Sequence, residues 1–517
     1  MTPTTARHTR LALGLASLAI LAACDSTDPP APNPCTVSPA SCAANLSADI
    51  TTSRTLKKDT VYTLTSFVHV TGAGTVLTVE PGTVIKGTVN SALFILKGAQ
   101  INANGTAAAP IVFTSDQAVG ARKPGDWGGL ILVGNGLINR TGTVDLEGTG
   151  SSTANYVVVY SGGNNNADNS GTLRYVRVEF AGFGVAANQE LNSFTFAAVG
   201  SGTTLEYLES LAGLDDSFEW FGGAADGKYL ISYESGDDHF DSSEGQTGRY
   251  QHLIAFQSTI LTPRAGSGTT STDPQGFEVD GCGSASGSGC SLGYNSTPLN
   301  TPLFANFTLV GMGVNTAVAA TSGGVGMVLR RGTAGMYVNG IVARWPRAAL
   351  SLRDTETQNQ FTSGAALLQN IYVVESGSTA GTNAPLFEGG TGRFVIDSAT
   401  LAKAAGTVTA ASVFTALPTA PSSAAALDWS LAAGGAAAAG HVGRPRPPRA
   451  GPGRRLAAGS HGPGARPAAD HPARGRPGPP ARGRRRGARR VRRVAPPRDA
   501  RAAPLLRRPD HVDAGVR

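Results

Sequence analysis

Six carboxylates in this chain belong to one pattern written twice. Asp215, Asp216 and Glu219 are followed, at the same spacing, by Asp237, Asp238 and Asp241, each 22 residues on (237 − 215 = 22). The flanking text repeats at that offset as well, with Tyr207-Leu208-Glu209-Ser210 returning as Tyr229-Leu230-Ile231-Ser232. If the offset is one turn of a coil, each acid lies over its copy on a neighbouring strand, about 4.8 Å away. Two like charges at ~5 Å cost roughly 3 kcal/mol at an effective dielectric of about 20. Three stacked pairs therefore need compensation from solvent, from retained protons or from a bound cation. Hard oxygen donors at this density suit Ca2+, which makes Asp215, Asp216, Glu219, Asp237, Asp238 and Asp241 candidate metal ligands. The plainer reading is that Asp at turns caps backbone N–H groups. Paired carboxylates held roughly 5–10 Å apart also serve as general acid and base in glycoside hydrolysis, so Asp237 and Asp238 are the candidate catalytic residues. His239 and His252 lie near them in the sequence.

The elements that must position these acids are short β-strands. Thr60-Val61-Tyr62-Thr63-Leu64 opens the β-rich text, and Val76–Val79 and Val84–Gly87 follow as two strands bent at Pro81-Gly82. Leu93–Leu96 and Ile111–Thr114 continue in the same style. Gly-, Asn- and Pro-bearing turns separate the runs, and no segment carries a sustained 3.6-residue period with caps, so little helix is expected. A 22-residue repeat of short strands is the signature of a β-solenoid rung. Leu173–Val176 with Asn192–Phe196, Leu205–Leu208 with Ser217–Trp220, and Lys228–Ile231 with His239–Asp241 read as successive coils, with Tyr250–Phe256 starting the next. Phe194, Phe218 and Phe240 then form an inward aromatic stack. Phe183–Glu190 should lengthen one rung as an outside loop, and Asn135–Gly171 and Thr262–Pro302 read as long Gly/Ser/Asn-rich loops. Trp127 reads as a corner filler, with sugar stacking as the alternative. Arg330-Arg331 reads as a solvated pair with one salt bridge, with recognition of a carboxylate or sulfate as the alternative.

Composition divides the chain. It has 67 Gly and a formal net charge of +7. Residues 441–517 hold 21 Arg and 4 Asp, a net of +17, so the preceding 440 residues sum to −10 (7 − 17). An acidic body thus carries a basic tail, and the overall charge does not mark a nucleic-acid binder. From Ala432 onward there is no Lys, Ile, Phe, Tyr, Trp, Asn or Gln. That residue set fits a disordered tail best explained as out-of-frame translation of a GC-rich gene. A basic tail for anionic lipid, polysaccharide or nucleic acid, and a low-complexity linker, are the competing readings. The β-helical body then lacks a cap for its last rung within this frame.

At the other end, Arg7, His8 and Arg10 precede an apolar run from Leu11 to Leu21, too short to span a bilayer. Leu21-Ala22-Ala23-Cys24 is similar to the lipobox of bacterial lipoproteins, which implies cleavage before Cys24 and its lipidation. Acyl chains there would anchor the chain, at about 0.8 kcal/mol per buried CH2. Asp25 resembles the inner-membrane retention signal of enteric bacteria, a rule that does not carry beyond them. Residues 26–42 form a Pro/Ser-rich tether. Of the remaining cysteines, Cys35 with Cys42 and Cys282 with Cys290 are close in sequence, and two local disulfides are expected in an oxidising compartment, although four Cys allow three pairings.

Several stretches carry a family resemblance: TLTSFVHVTGAGTVLTVEPGTVIKG, Gly125-Asp126-Trp127-Gly128-Gly129, Gly171–Phe180, Asp215–Gly223 and Leu329–Gly335. Over roughly residues 50–430 the chain resembles bacterial surface lipoproteins of the right-handed parallel β-helix, pectate-lyase-like superfamily. The resemblance implies an all-β solenoid and export, and brings no activity with it. Members of the wider superfamily bind Ca2+ on stacked outer-face acids, bridging to an acidic sugar. Gly236-Asp237-Asp238 looks like the Asp pair of β-helix polygalacturonases, but their Gly-His-Gly and Arg-Ile-Lys motifs have no counterpart here. No P-loop, dinucleotide fingerprint, HExxH or GxSxG stands in a supporting context.

The expectations are therefore a signal peptide over 1–23, a tether over 24–45, a right-handed parallel β-helix over 46–431 and a tail over 432–517. The chain should be lipid-anchored in the bacterial cell envelope, at the outer membrane or cell surface rather than the inner membrane. Its expected partners are the membrane and an extracellular polysaccharide, not nucleic acid, with Ca2+ as the candidate cofactor. A surface, adhesion or polysaccharide-binding role comes first, and a polysaccharide lyase or glycoside hydrolase is the alternative.

Overall fold

Alternation of buried and part-exposed positions, as in Val61–Leu64 and Val76–Val79, builds strands with one inward face. In the computed structural model these strands stack in parallel register into a β-helix. The structure describes residues 43–437 apart from 151–155, 187–188, 272–273, 286–288, 314–322, 378–385, 389–400, 405–407, 418–427, 434 and 436. The export signal, Cys24, the tether up to residue 42 with Cys35 and Cys42, and the Arg-rich tail beyond residue 437 lie outside the described residues, whereas the last tether residues already belong to the strand Ala43–Leu46.

Two large parallel sheets run along the solenoid. The short-strand sheet stacks Phe67–Val70, Ala92–Ile95, Leu130–Val133, Phe194–Ala197, Phe218–Phe221, Phe240–Ser243, Phe277–Asp280, Met327–Arg330, Ser351–Arg353 and Leu386–Glu388. The other sheet is a bent one that makes two faces. Gly171–Glu179 shows how: its first half pairs with Gln100–Asn104 and its second half with Ile111–Ser115. In the early rungs those halves are separate strands joined by a turn such as Glu80–Thr83, where Gly82 takes φ 85°. In the later rungs the turn shrinks to a single left-handed residue within one strand. Tyr175, Tyr207, Tyr229, His252, Asn306, Asn339 and Asn370 hold that corner at φ 48–63°.

A non-glycine residue at positive φ costs roughly 1–2 kcal/mol, and here each is held by its copy on the next rung. The rings of Tyr175 and Tyr207 stack at 4.3 Å, Tyr207 and Tyr229 at 4.5 Å, and Tyr229 and His252 at 4.8 Å. Asparagines take over from there: Asn339 Nδ2 donates to Asn306 Oδ1 at 3.2 Å, and Asn370 Nδ2 to Asn339 Oδ1 at 3.0 Å. His252 therefore belongs to a structural ladder.

The rungs read from sequence are in register: Leu173, Leu205, Gly227, Tyr250 and Phe304 form one column, and Glu219 pairs across from Asp241. Inside, Phe194 stacks on Phe218 at 4.9 Å and Phe218 on Phe240 at 5.3 Å, all fully buried. Trp127 is buried too, and its Nε1 donates to the Glu179 carbonyl at 2.8 Å, so it is a corner filler.

One expectation needs correction. The stretch Thr262–Pro302 is not one excursion, because Phe277–Asp280 inside it is a strand of the short sheet. The loop after Asn135 folds back onto the body. Its hairpin, with Leu146 N–H donating to the Val158 carbonyl, packs Val144, Leu146, Val158 and Tyr160 on the outer face of the short sheet. As expected, helix is scarce among the described residues, and its longest piece is Thr355–Ser363, capped by Asp354, whose side chain accepts from Thr357 N–H, and ended by Gly364 in the left-handed region. Toward the C-terminus, Phe414–Ala416 and Asp428–Leu431 pair antiparallel and lay Phe414 and Trp429 against the bent sheet, Trp429 meeting Phe256 at 5.7 Å. Among the described residues no helix is long and apolar enough to cross a membrane.

Candidate functional site

One outward column of the short sheet changes character along the solenoid. Successive rungs present Phe94, Ile131, Thr195, Glu219, Asp241, Glu278, Val328 and Ser351. The hairpin after Asn135 covers the apolar beginning of this face, together with Phe183, Val185 and Leu191 from the following rung. Three carboxylates occupy the middle. Beside them, at the corner leading into each strand, stand Asp215-Asp216 and Asp237-Asp238.

The result is a pocket of about 340 Å3 lined by nine carboxylates and one guanidinium. The six acids singled out from the sequence all line it, and three more join them. Glu278 comes from the next strand, Glu147 from the hairpin after Asn135, and Glu190 from the two-stranded Gly184–Ala186/Gln189–Glu190 pair. Carboxylate oxygens approach one another within 4.8 Å in three sets: Asp215, Asp216 and Asp237; Asp216, Glu219 and Asp241; and Asp238, Asp241 and Glu278.

Part of this acid is capping backbone. Asn192 Oδ1 accepts from Asp216 N–H, Asp216 Oδ1 from Asp238 N–H, Asp238 Oδ1 from Gln275 N–H, and Gln275 Oε1 from Val325 N–H, at 2.6–3.1 Å. This ladder needs only an acceptor, and its outer two members are neutral amides. The central two are acids, each with a second oxygen left for the pocket. Glu219 accepts from Asn192 Nδ2. Asp241 Oδ1 is buried and has no hydrogen-bond partner among the described residues.

Charge crowds here at a cost. Burial, and then the neighbouring carboxylates, push Asp215, Asp216, Glu219, Asp238 and Asp241 well above the usual carboxylate range. Glu278 rises to about 7, chiefly through burial, and Glu147 rises to about 7 through burial and Glu190. Asp215, Asp241 and Glu278 keep some exposed surface through the pocket mouth while protein encloses their other sides.

Arg330 and Arg331 are not a solvated pair with one bridge. Arg330 Nε donates to Asp280 Oδ1 at 2.6 Å and its Nη2 reaches Glu278 Oε1, while Arg331 Nη1 donates to Asp280 Oδ2 at 2.5 Å. Arg330 thus forms the pocket's one basic edge. His239 is no part of the pocket. It points into the solenoid, fully buried, with Nδ1 2.5 Å from Ser232 Oγ, and burial lowers its pKa to about 3.

A second cavity of about 400 Å3 adjoins, with Glu147 in both walls. There Tyr160 Oη donates to Glu244 Oε2 at 2.6 Å and Arg140 Nη1 to Glu244 Oε1 at 2.8 Å. The Arg140 loop is held by Thr141 N–H donating to the Gly289 carbonyl, inside the segment closed by a Cys282–Cys290 disulfide.

A family profile described as pectate-lyase like beta helix domain matches residues 48–418. Since that match spans well over half of the chain, the protein belongs to this β-helix family. Nothing among curated proteins or solved structures matches it.

Proposed function

We propose that this chain is a lipid-anchored β-helix of the bacterial cell envelope that binds an extracellular polysaccharide with the help of Ca2+, without being an enzyme. The observation that carries the reading is the outward column Glu219–Asp241–Glu278, flanked by Asp215-Asp216 and Asp237-Asp238, in a single pocket. Acids at this density, unable to ionise together in a metal-free pocket, supply the hard oxygen ligands that Ca2+ takes at 6–8 positions. The envelope location rests on the Cys24 motif and the expected disulfides.

Arg330 at the pocket edge supports the second reading, a lyase or hydrolase using Asp237 and Asp238. That side chain is already engaged by Glu278 and Asp280, and both nearby histidines serve the scaffold, so the binding reading is preferred.

The test is calorimetric titration of the full chain with CaCl2, followed by an array of acidic polysaccharides read with Ca2+ and with a chelator. The expected result is Ca2+ binding with Kd between about 10⁻⁶ and 10⁻³ M, and glycan retention that the chelator abolishes. No heat with Ca2+ and no retained glycan would overturn the reading, and shortened or unsaturated glycan products would replace it with the enzymatic one.

A further inference from the structure

The cavity beside the carboxylate pocket, of about 400 Å3, is within the usual size of small-molecule sites, roughly 300–1,000 Å3. Only three of its nine lining residues are acids, and aromatic and apolar surface shares the walls. The hairpin after Asn135 supplies Asp145, Glu147 and Tyr160, while Phe221 and Glu244 come from two successive rungs of the short sheet. The charges inside are unevenly matched. Both oxygens of Glu244 are taken, one by Arg140 Nη1 and the other by Tyr160 Oη, so that acid and that guanidinium neutralise each other. Asp145 and Glu147 remain, and the described lining holds no second cation. Burial and Glu190 accordingly raise Glu147 to about 7. Arg140 Nε is buried with no hydrogen-bond partner among the described residues, a donor left for an acceptor from outside. The rings of Tyr160 and Phe221 lie 5.6 Å apart, and that of Phe221 is half-buried.

An ammonium group answers this set. Carboxylates accept its charge-assisted hydrogen bonds, and an aromatic ring attracts a cation within about 6 Å of its centre. An anion is disfavoured, because the cavity sums to −2 (1 − 3) with its acids ionised and the adjoining pocket is lined by nine carboxylates. The unpartnered Arg140 Nε asks in addition for a neutral acceptor such as a hydroxyl. We propose that the cavity is a ligand site of its own, for a hydroxylated primary amine of the amino-sugar class, with the ammonium held by Asp145 and Glu147 beside the Phe221 ring and a hydroxyl accepting from Arg140 Nε. The site needs no metal ion and stands whether or not the neighbouring pocket takes calcium. Glu147 is the residue common to both walls, and through it the two sites sense each other.

The test is calorimetric titration of the full chain, with chelator present and at about pH 6.5, where an amine is charged. The probes are the glucosamine dimer with the cellobiose linkage and cellobiose itself, which carries a hydroxyl where each amine stands. The expected Kd for the amine is at least about tenfold below that for cellobiose, the margin by which a charged hydrogen bond exceeds a neutral one. Asp145 is exposed, so Asp145→Asn leaves the fold intact, and it should cut the preference to about threefold or less. Glu147→Gln should do the same, and Phe221→Leu, which keeps apolar bulk without the ring, should weaken the amine several-fold. Equal affinities for the two sugars, or no heat from the amine, would overturn the proposal. So would a preference that survives both Asp145→Asn and Glu147→Gln, or one lost instead in Glu278→Gln, since the amine would then sit in the carboxylate pocket. Titration with CaCl2 without chelator reads that pocket separately, so neither reading falls with the other.

Discussion

Replacing Phe218 by Ala should lower stability by roughly 3–5 kcal/mol, the range for deleting a buried Phe side chain. The ring is fully buried and is sandwiched between Phe194 at 4.9 Å, nearly parallel at 3°, and Phe240 at 5.3 Å. It also lies 6.0 Å from Trp220. Removing it takes away one ring and breaks two stacking contacts, each contributing about 0.5–1.5 kcal/mol beyond area burial. Neighbouring rungs cannot close the gap, because inter-rung hydrogen bonds fix their spacing near 4.8 Å. In a solenoid each rung contacts only its neighbours, so the loss weakens both interfaces of the rung that carries the acidic pocket. The matched control is Tyr229→Ala. That ring also stacks on two neighbours, but it is 40% exposed at the corner, and its removal should cost about 1 kcal/mol or less. Denaturant midpoints for the two variants, at constant m value, decide the matter. A Phe218→Ala midpoint no lower than that of Tyr229→Ala would show that the inner stack does not carry the fold.

Why the sequence disclosed the solenoid so readily follows from that stack. Where two rungs follow without an insertion, a constant 22-residue offset repeats every inward and outward position, so Phe218 and Phe240, and Glu219 and Asp241, could be aligned by eye. The next rung breaks the count. Glu278 lies 37 residues beyond Asp241 (278 − 241) because residues 257–276 intervene, and it was lost inside what looked like a loop. Its signal was there in Phe277-Glu278, which repeats Phe218-Glu219 and Phe240-Asp241. Glu147 and Glu190 had no such signal. They reach the pocket because a hairpin and a strand pair fold over the sheet, through contacts that no local period encodes. His239 stays out of the pocket for a different reason. At a corner strict alternation fails, and His239 and Phe240 both turn inward in succession. The single left-handed residue that replaces the Pro81-Gly82 turn in later rungs was equally hidden, since a Tyr does not signal a positive φ, and the His and Asn that do favour it stand alone inside otherwise continuous strands.

Without divalent cation, the protein should lose stability as pH rises from about 6.5 to 8.5, and Ca2+ should remove or reverse that slope. Asp215, Asp216, Glu219, Asp238 and Asp241 hold protons in the folded chain well above the range where the unfolded chain releases them, and Glu147 and Glu278 do so up to about 7. A raised folded pKa stabilises fully below the unfolded pKa, and the stabilisation is lost as pH climbs through the folded value. In this window the native state therefore binds more protons than the unfolded one, and the slope of unfolding free energy with pH is negative, about 1.4 kcal/mol per pH unit for each proton of difference. His239 acts in the opposite sense. Its folded pKa of about 3 lies below the unfolded value, so it favours the fold increasingly as pH rises through about 6.5, and only from about one unit higher is it essentially neutral in both states. The upper half of the window, above about pH 7.5, is therefore free of the His239 contribution. Calcium binds the ionised acids, so its occupation grows as the protons leave. A hundredfold excess over Kd adds about 2.7 kcal/mol for each ion held only by the native state. The measurement is the denaturant midpoint at four pH values, with chelator and with CaCl2. Glu278→Gln should flatten the chelator curve by removing one of the groups that titrates. A chelator curve that is level or rising would mean that water, and not retained protons, neutralises the acids. Coincident curves with and without calcium would remove the cation from the pocket altogether.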